Sequence, residues 1–342
     1  MEDAQHGVTL DEYAEGFLRR REETHRSWRD DRNRWNAHVK GTDFATMPMR
    51  AIQPRHVRTW LDGLLRTRAL PGRGQGSTRL RLLSRQSIIN AVNLVRVALE
   101  DAVERGALDS NPARGVRVPL RPQDRVTRET WTYLPPAEQS SLLEVVPPPE
   151  RWLVEFAIGT GLRAGEQWCL ERGDVHADSP HPHVVVRFGS PGLPPKNGRV
   201  RAVPLFGRAL QAWREWDSAH PPTRRLAFPS LRGKRRDREP RHWHEWLAAA
   251  HVRGATGAGV CWHSLRHTAA SNLVSGVLGR SWSLEEVCAL LGHSSIQVTE
   301  RYAHLMPAAL TRAAVETQAA IDRPSAEVRQ MSRRGQRKRS SK

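Results

Sequence analysis

The sequence predicts a mainly α-helical chain with a small antiparallel β-hairpin or sheet, arranged as two domains. Three observations carry that expectation. Apolar residues recur at helical spacing over most of the chain. Two β-rich runs, His183 to Phe188 and Val200 to Leu205, stand together around a turn-like segment. A stretch rich in Pro and Arg, Asn111 to Pro122, has no helical period and divides the whole. At 342 residues there is enough chain for two cores.

In order, residues 8 to 22 read as a helix: Thr9 and Glu12 form a capping box, and Tyr13, Phe17 and Leu18 share a face. A second helix covers Ser27 to Val39, with Arg29, Arg32 and Arg34 beside Trp28 and Trp35. Those arginines suit a phosphate backbone or plain solvent equally well. Pro54 to Arg66 places Val57, Trp60, Leu61 and Leu64 at helical spacing. Pro71 to Ser77 is a loop by composition. Ser84 to Arg105 is a long amphipathic helix stopped by Gly106. Residues 1–112 are therefore expected as a helical domain, and 113–127 as a basic linker whose Arg114, Arg117, Arg121 and Arg125 could line a groove.

The second domain is expected over 128–321. Helices are predicted to about Val146 and over Arg151 to Ile158. Gly159-Thr160-Gly161 then turns the chain into a helix that opens at Leu162-Arg163, where backbone N–H groups favour an anion. Asn197-Gly198 between the β-rich runs signals a tight hairpin with Lys196 at its tip. Helices resume over Leu205 to Ser218, Trp243 to Val252 and His263 to Leu278. Ser283 to Glu286 caps another that Gly292 ends, and a last long helix runs from Val298 to Ile321 with Tyr302 near its start. Residues 322–342 carry eight Arg or Lys against two acids and are expected to be disordered.

Composition narrows the partners. Lys+Arg 54 against Asp+Glu 36 gives 54 − 36 = +18, and the pI is near 11.2, a bias that favours polyanions through phosphate neutralisation. Five of those cations are lysine and 49 arginine; the planar fork of arginine grips phosphate bidentately, and GC-rich codon usage would give the same bias. Three cysteines without a C-x-x-C spacing suggest neither a disulfide framework nor a zinc ribbon. An acidic start and the lack of a long apolar run point to a cytoplasmic chain, with no membrane partner.

The chemistry-bearing residues gather late. His263-Ser264-Leu265-Arg266-His267, Leu291-Gly292-His293 and Arg301-Tyr302 bring a nucleophile, cations and proton carriers into one segment. Of the three tyrosines only Tyr302 has histidines within ten positions on both sides. Arg163 and Arg266 could neutralise a phosphodiester. A tyrosine of pKa about 10 is only about 0.1% ionised near pH 7, so Tyr302 needs a base or a positive neighbourhood, and His263 is the candidate. A metal site built from His263, His267, His293 and His304 is disfavoured by the two arginines beside it and by the lack of a carboxylate or cysteine at ligand spacing.

Taken together, Gly161-Leu162-Arg163-x-x-Glu166, Lys196, His263-x-x-Arg266-His267, Leu291-Gly292-His293 and Arg301-Tyr302 resemble the tyrosine recombinase, or phage integrase, family. The resemblance covers about 130 to 310 as an integrase-type catalytic domain, with the first domain similar to the family's core-binding domain. It implies a site-specific recombinase acting through a 3′-phosphotyrosyl intermediate on double-stranded DNA, without metal or cofactor. It further implies a homotetramer on synapsed sites, with accessory directionality factors as further partners. By the same resemblance Lys196 would protonate the leaving 5′ oxygen and His293 would donate to a non-bridging oxygen, with Glu166 and His267 as supports. Two departures stand out: Gly165 where serine is common, expected to loosen the helix carrying Arg163, and Ser264 where aspartate is common. A non-catalytic DNA-binding regulator of the same fold and a type IB topoisomerase-like nicking-closing enzyme are the rival readings.

Overall fold

The computed structural model describes residues 7–69, 81–124, 131–195, 197–220, 225–230 and 232–306, together with 311, 314, 315, 317 and 318. The chain divides into two compact units, Met1–Thr127 and Arg128–Lys342. Among the described residues no helix is long and apolar enough to cross a membrane.

In the first unit α1 (Leu10–Thr24), α2 (Trp28–His38), α3 (Pro54–Arg66) and α4 (Arg85–Glu104) surround one core; the two-residue strands β1 (Arg68–Ala69) and β2 (Arg81–Leu82) pair beside them. The capping box that opens α1 is formed: Glu12 N donates to Thr9 Oγ1 at 3.3 Å, and Thr9 N donates to the Glu12 carboxylate at 2.8 Å. Phe17, Leu18, Trp35, Leu61, Val92 and Leu99 fill the interior. Two of the three arginines of α2 are engaged with acids, Arg34 with Asp31 at 3.0 Å and Arg32 with Glu15 and Glu22 at 3.6 and 3.7 Å, while Arg29 lies over the Trp28 ring. The Pro71 to Ser77 loop lies outside the described residues.

The segment expected as a basic linker packs on the first unit. Ala113 and Val116 are buried in its core. Arg121 pairs with Asp124 at 2.8 Å and donates to the Leu65 and Leu83 carbonyl oxygens, and Arg114 pairs with Glu100. The segment's Pro and Arg content concealed two apolar positions that suffice to anchor it. Arg117 is exposed, and Arg125 lies outside the described residues.

The second unit runs α5 (Pro136–Val145), α6 (Glu150–Thr160), α7 (Ala164–Cys169), β3 (Val175–His176), β4 (His183–Val186), β5 (Arg201–Pro204), α8 (Gly207–Ala219), α9 (Trp243–Ala249), α10 (Trp262–Ser275) and α11 (Leu284–Leu291). Its centre is α10, whose Leu265, Ala269, Ala270, Leu273 and Val274 are buried on several sides at once. Small residues let neighbours close on it. Buried polar residues pair across it: Gln139 and Asn272 exchange hydrogen bonds at 3.0 and 3.1 Å, and Thr268 Oγ1 accepts from Leu134 N at 3.0 Å. Likewise α6 and α8 meet at Gly159, where a Cβ would lie 2.5 Å from that of Ala209.

Three findings differ from the sequence expectation. The sheet has three antiparallel strands in the order β3-β4-β5, because Val175–His176 joins the edge. The β4–β5 register runs from His183↔Pro204 to Val186↔Arg201, so the connection is a long excursion and not a two-residue Asn-Gly turn. Within it Gly189 N donates to the Leu193 carbonyl oxygen at 3.0 Å, and Gly198 does adopt φ +72°. Lys196, placed at a tip by the sequence, lies outside the described residues. Finally, Tyr302 sits in a short 3-10 helix, Glu300–Leu305, preceded by another over Ile296–Val298. The β-branched Ile296, Val298 and Thr299 disfavour a regular α-helical start there. Beyond Met306 the described residues 311, 314, 315, 317 and 318 are helical, and the tail 322–342 lies outside the description.

Candidate active site

A cleft of about 260 Å³ in the second unit is lined by Arg163, His263, Arg266, His267, His293 and Tyr302, joined by Trp131, Val298 and Arg301. These groups come from four places in the chain. Arg163 caps α7, His263, Arg266 and His267 project from α10, His293 follows α11, and Tyr302 arrives on its 3-10 helix.

Arg266 is the most deeply set cation, 2% exposed. Its guanidinium donates to the Gly161 carbonyl oxygen at 2.7 Å and the Leu291 carbonyl oxygen at 2.8 Å. Both acceptors lie at helix C-termini, those of α6 and α11, and each helix is closed by a glycine in the left-handed region, Gly161 at φ +63° and Gly292 at φ +66°. Helix C-termini carry partial negative charge, roughly half a unit each, so two of them hold a buried cation without a carboxylate to neutralise it. Burial first, and then the neighbouring Arg163, draw the Arg266 pKa down to about 9, which leaves it cationic at neutral pH. The glycines are required sterically as well: a Cβ on Gly161 would come 2.6 Å from Leu291 Cδ2, and one on Gly292 would press on Arg201.

Glu166, expected as a support, is 1% exposed and is gripped from two sides. Arg201 meets it with two hydrogen bonds at 3.0 and 2.8 Å, and Arg163 donates to it through both its backbone N and its guanidinium, at 2.9 and 3.0 Å. Burial alone would raise the Glu166 pKa, but the hydrogen bonds and charge of Arg201, then of Arg163, bring it below the usual carboxylate value. Arg201 is a site residue that sequence reasoning missed. It was read only as part of a β run, and its second anchor, a donation to the Leu290 carbonyl oxygen at 3.0 Å, depends on the fold. Arg163 reaches Gly292 O at 3.4 Å, and Asn197 Nδ2 reaches the same oxygen at 3.3 Å, which ties the segment beside Lys196 to the His293 loop.

The two departures from the family pattern have structural reasons. At Gly165 a Cβ would overlap the Gly189 carbonyl oxygen, so glycine admits a close backbone approach and does not merely loosen α7. Ser264 is buried, and its Oγ accepts from Cys261 N at 3.1 Å, capping α10 at the turn that presents His263.

The histidines are held neutral. Burial and then Arg266 and Arg163 lower His263 to about 4 and His293 to about 3; burial and then His263 lower His267 to about 3. His293 Nδ1 is 2.8 Å from Thr299 Oγ1. Tyr302 is 1% exposed, and burial raises its pKa to about 12 in spite of Arg301 and Arg266. Its hydroxyl hydrogen-bonds His267 Nδ1 at 2.5 Å, so the histidine within reach of the tyrosine hydroxyl is His267 and not His263, whose ring stands 5.0 Å from that of His267. The surrounding positive charge does not by itself ionise Tyr302. Trp131, a second residue the sequence did not flag, packs edge-on against Tyr302, ring centroids 5.3 Å apart. Among the described residues no cluster of histidine, cysteine and carboxylate side chains could hold a metal ion.

Residues 133–308, just over half of the chain, match the profile of the phage integrase family. The chain belongs to the phage integrase family of tyrosine recombinases. This recombinase is 31% identical over 259 residues to the tyrosine recombinase XerC of Mycobacterium tuberculosis (strain ATCC 25177 / H37Ra), covering 69% of this chain and 76% of the relative. It is 30% identical over 318 residues to the XerC of Mycobacterium leprae (strain TN), covering 86% and 94%. Its fold is that of the Tn1549 transposon integrase in complex with a circular intermediate DNA, at a TM-score of 0.65 and 17% identity over 86% of this chain and 95% of that one. It is likewise that of a lambda integrase dimer bound to a COC′ core site, at 0.63 and 17% over 86% and 77%.

Proposed function

We propose that this tyrosine recombinase cleaves a strand of duplex DNA by attack of the Tyr302 hydroxyl on a phosphodiester and later rejoins it by the reverse reaction. The observation that supports it best is the arrangement of three guanidinium groups, three neutral histidines and a tyrosine hydroxyl hydrogen-bonded to one of those histidines around one cleft. The proton of Tyr302 passes to His267 only as its oxygen bonds to phosphorus, because the hydroxyl has a pKa of about 12 and His267, held near 3 by burial and its neighbours, gains basicity from the negative charge of the bound phosphate. Arg163 and Arg266 hold the non-bridging oxygens, whose charge grows in the transition state. His263 and His293, neutral at pH 7, offer ring N–H groups to the same phosphate. Lys196 gives a proton to the departing 5′ oxygen, leaving a 3′-phosphotyrosyl ester and a free 5′-hydroxyl. That ester conserves the energy of the broken bond, so another strand's 5′-hydroxyl can displace Tyr302 without ATP.

Exchange between two duplexes takes four such attacks, which favours a homotetramer on synapsed sites. Lambda integrase has been seen as a tetramer bound to a Holliday junction, on the same fold (TM-score 0.62, 16% identity, covering 87% of this chain and 78% of that one). The deciding experiment is trapping on a nicked suicide substrate followed by a denaturing gel. Tyr302→Phe is expected to give no covalent adduct while binding DNA within about twofold of the unaltered protein, since it loses one hydroxyl and no charge. An adduct from the variant would overturn the assignment.

A further inference from the structure

We propose that Trp131 is a positioning residue for the nucleophile, fixing the Tyr302 ring through contacts on both it and its sequence neighbour Arg301. The indole meets Tyr302 edge-on at 5.3 Å and 79°, the geometry in which a ring edge points at a π face. The Arg301 guanidinium lies over the same indole, 5.8 Å from its centroid. His267, the hydroxyl's hydrogen-bonding partner, is 5.3 Å from it at a tilt of 52°. One side chain therefore touches the nucleophile, the residue before it and the base in hydrogen-bond reach of it.

The anchorage of Trp131 is what lets it position something else. Its carbonyl oxygen accepts from Thr256 Oγ1 at 2.7 Å, Thr132 Oγ1 accepts from Thr256 N at 3.2 Å, and the Tyr133 carbonyl oxygen accepts from Ala255 N at 2.9 Å. Leu134 N then donates to Thr268 on α10, one residue beyond His267. Tyr302, by contrast, rides on a six-residue 3-10 helix, an element with poor hydrogen-bond geometry of its own. A fixed indole against a weakly held turn is an arrangement in which the indole sets the angle of attack. Misplacement of a reacting group by about 1 Å can cost on the order of 100-fold in rate.

The proposal rests on Tyr302 being the nucleophile, and the test keeps the two apart. Full-length Trp131→Ala, Trp131→Phe and Tyr302→Phe proteins are compared for melting temperature, affinity for a duplex site and the single-turnover rate of adduct formation. Two nicked substrates are used, one ordinary and one with a sulfur bridging to the leaving 5′ carbon, which departs without a general acid. Trp131→Ala is expected to slow adduct formation at least tenfold on both substrates, with DNA affinity within about threefold. Trp131→Phe, which keeps a ring face for Arg301 and an edge for Tyr302, is expected to stay within about threefold of the unaltered rate. An alanine variant with the normal rate, a defect relieved by the sulfur substrate, or equal defects in the alanine and phenylalanine variants that track a fall in melting temperature would each overturn the role. An adduct from Tyr302→Phe would instead overturn the nucleophile assignment itself.

Discussion

In the first unit several arginines that tie helices together meet an acid. Arg20 and Arg105 share Asp101, Arg21 and Arg34 share Asp31, Arg114 finds Glu100 and Arg121 finds Asp124. In and beside the cleft four guanidinium groups, Arg163, Arg266 and Arg301 on its lining and Arg201 behind it, have one carboxylate among them, Glu166, and Arg266 donates to backbone carbonyls alone. The same side chain thus ties helices together in one region and stores unmatched positive charge in the other. Leaving charge unmatched in a desolvated place is costly, and under the proposed function an arriving phosphate would recover that cost.

The sharpest way to break this comparison is to remove the cleft's one acid. Glu166→Gln leaves Arg163 and Arg201 facing a neutral amide in a buried site, and should lower stability by about 3–5 kcal/mol. A urea midpoint close to that of the unaltered protein would show that the pair does not need the charge. Next, Arg266→Lys should slow strand cleavage by about 10²–10³, because an ammonium cannot serve two carbonyl oxygens and a phosphate with a planar fork. The matching change in the first unit, Arg121→Ala, should cost roughly 1.5–3 kcal/mol of stability and leave the single-turnover cleavage rate of the folded protein untouched. Equal catalytic losses from the two would erase the distinction. Gly165→Ser should destabilise by about 1–3 kcal/mol through overlap with the Gly189 carbonyl, read as a lowered melting temperature.

Acid should act on the cleft as well. His263, His267 and His293 have folded pKa values of about 4, 3 and 3 against an unperturbed 6.5, so below pH 6.5 the unfolded chain binds more protons than the folded one. Stability from this source is complete above pH 6.5 and falls as the pH drops from 6.5 towards 3. The melting temperature should fall between pH 7.5 and 5, and His267→Gln should soften that fall. A flat profile in the unaltered protein would mean that the cleft is less electropositive than its arginines suggest.

Much of the site was legible because its residues sit in short strings with fixed spacing. His263 and His267 lie four apart and Arg266 between them, which puts all three on adjoining faces of any helix. That spacing could not say which histidine meets Tyr302, since the tyrosine comes from 35 positions further on and its approach is set by packing. Arg201 escaped because one more arginine in an arginine-rich chain carries no signal; its role needs the sheet edge to face Glu166. Trp131 escaped because it precedes the second unit's first helix by several residues and touches Tyr302 only through the tertiary fold. The long helix expected at Tyr302 failed locally, where β-branched residues crowd the turn before it.

The support beneath Arg266 has a last consequence. A counter-ion made of side chains can be protonated, swapped or lost by one substitution, whereas peptide carbonyls at two helix ends are present whatever residue is encoded there. The cation is therefore insulated from most genetic change in its acceptors and from acidity in the surroundings. Its vulnerable points are instead the two glycines that let those helices stop where they do, Gly161 and Gly292, neither of which carries a functional group.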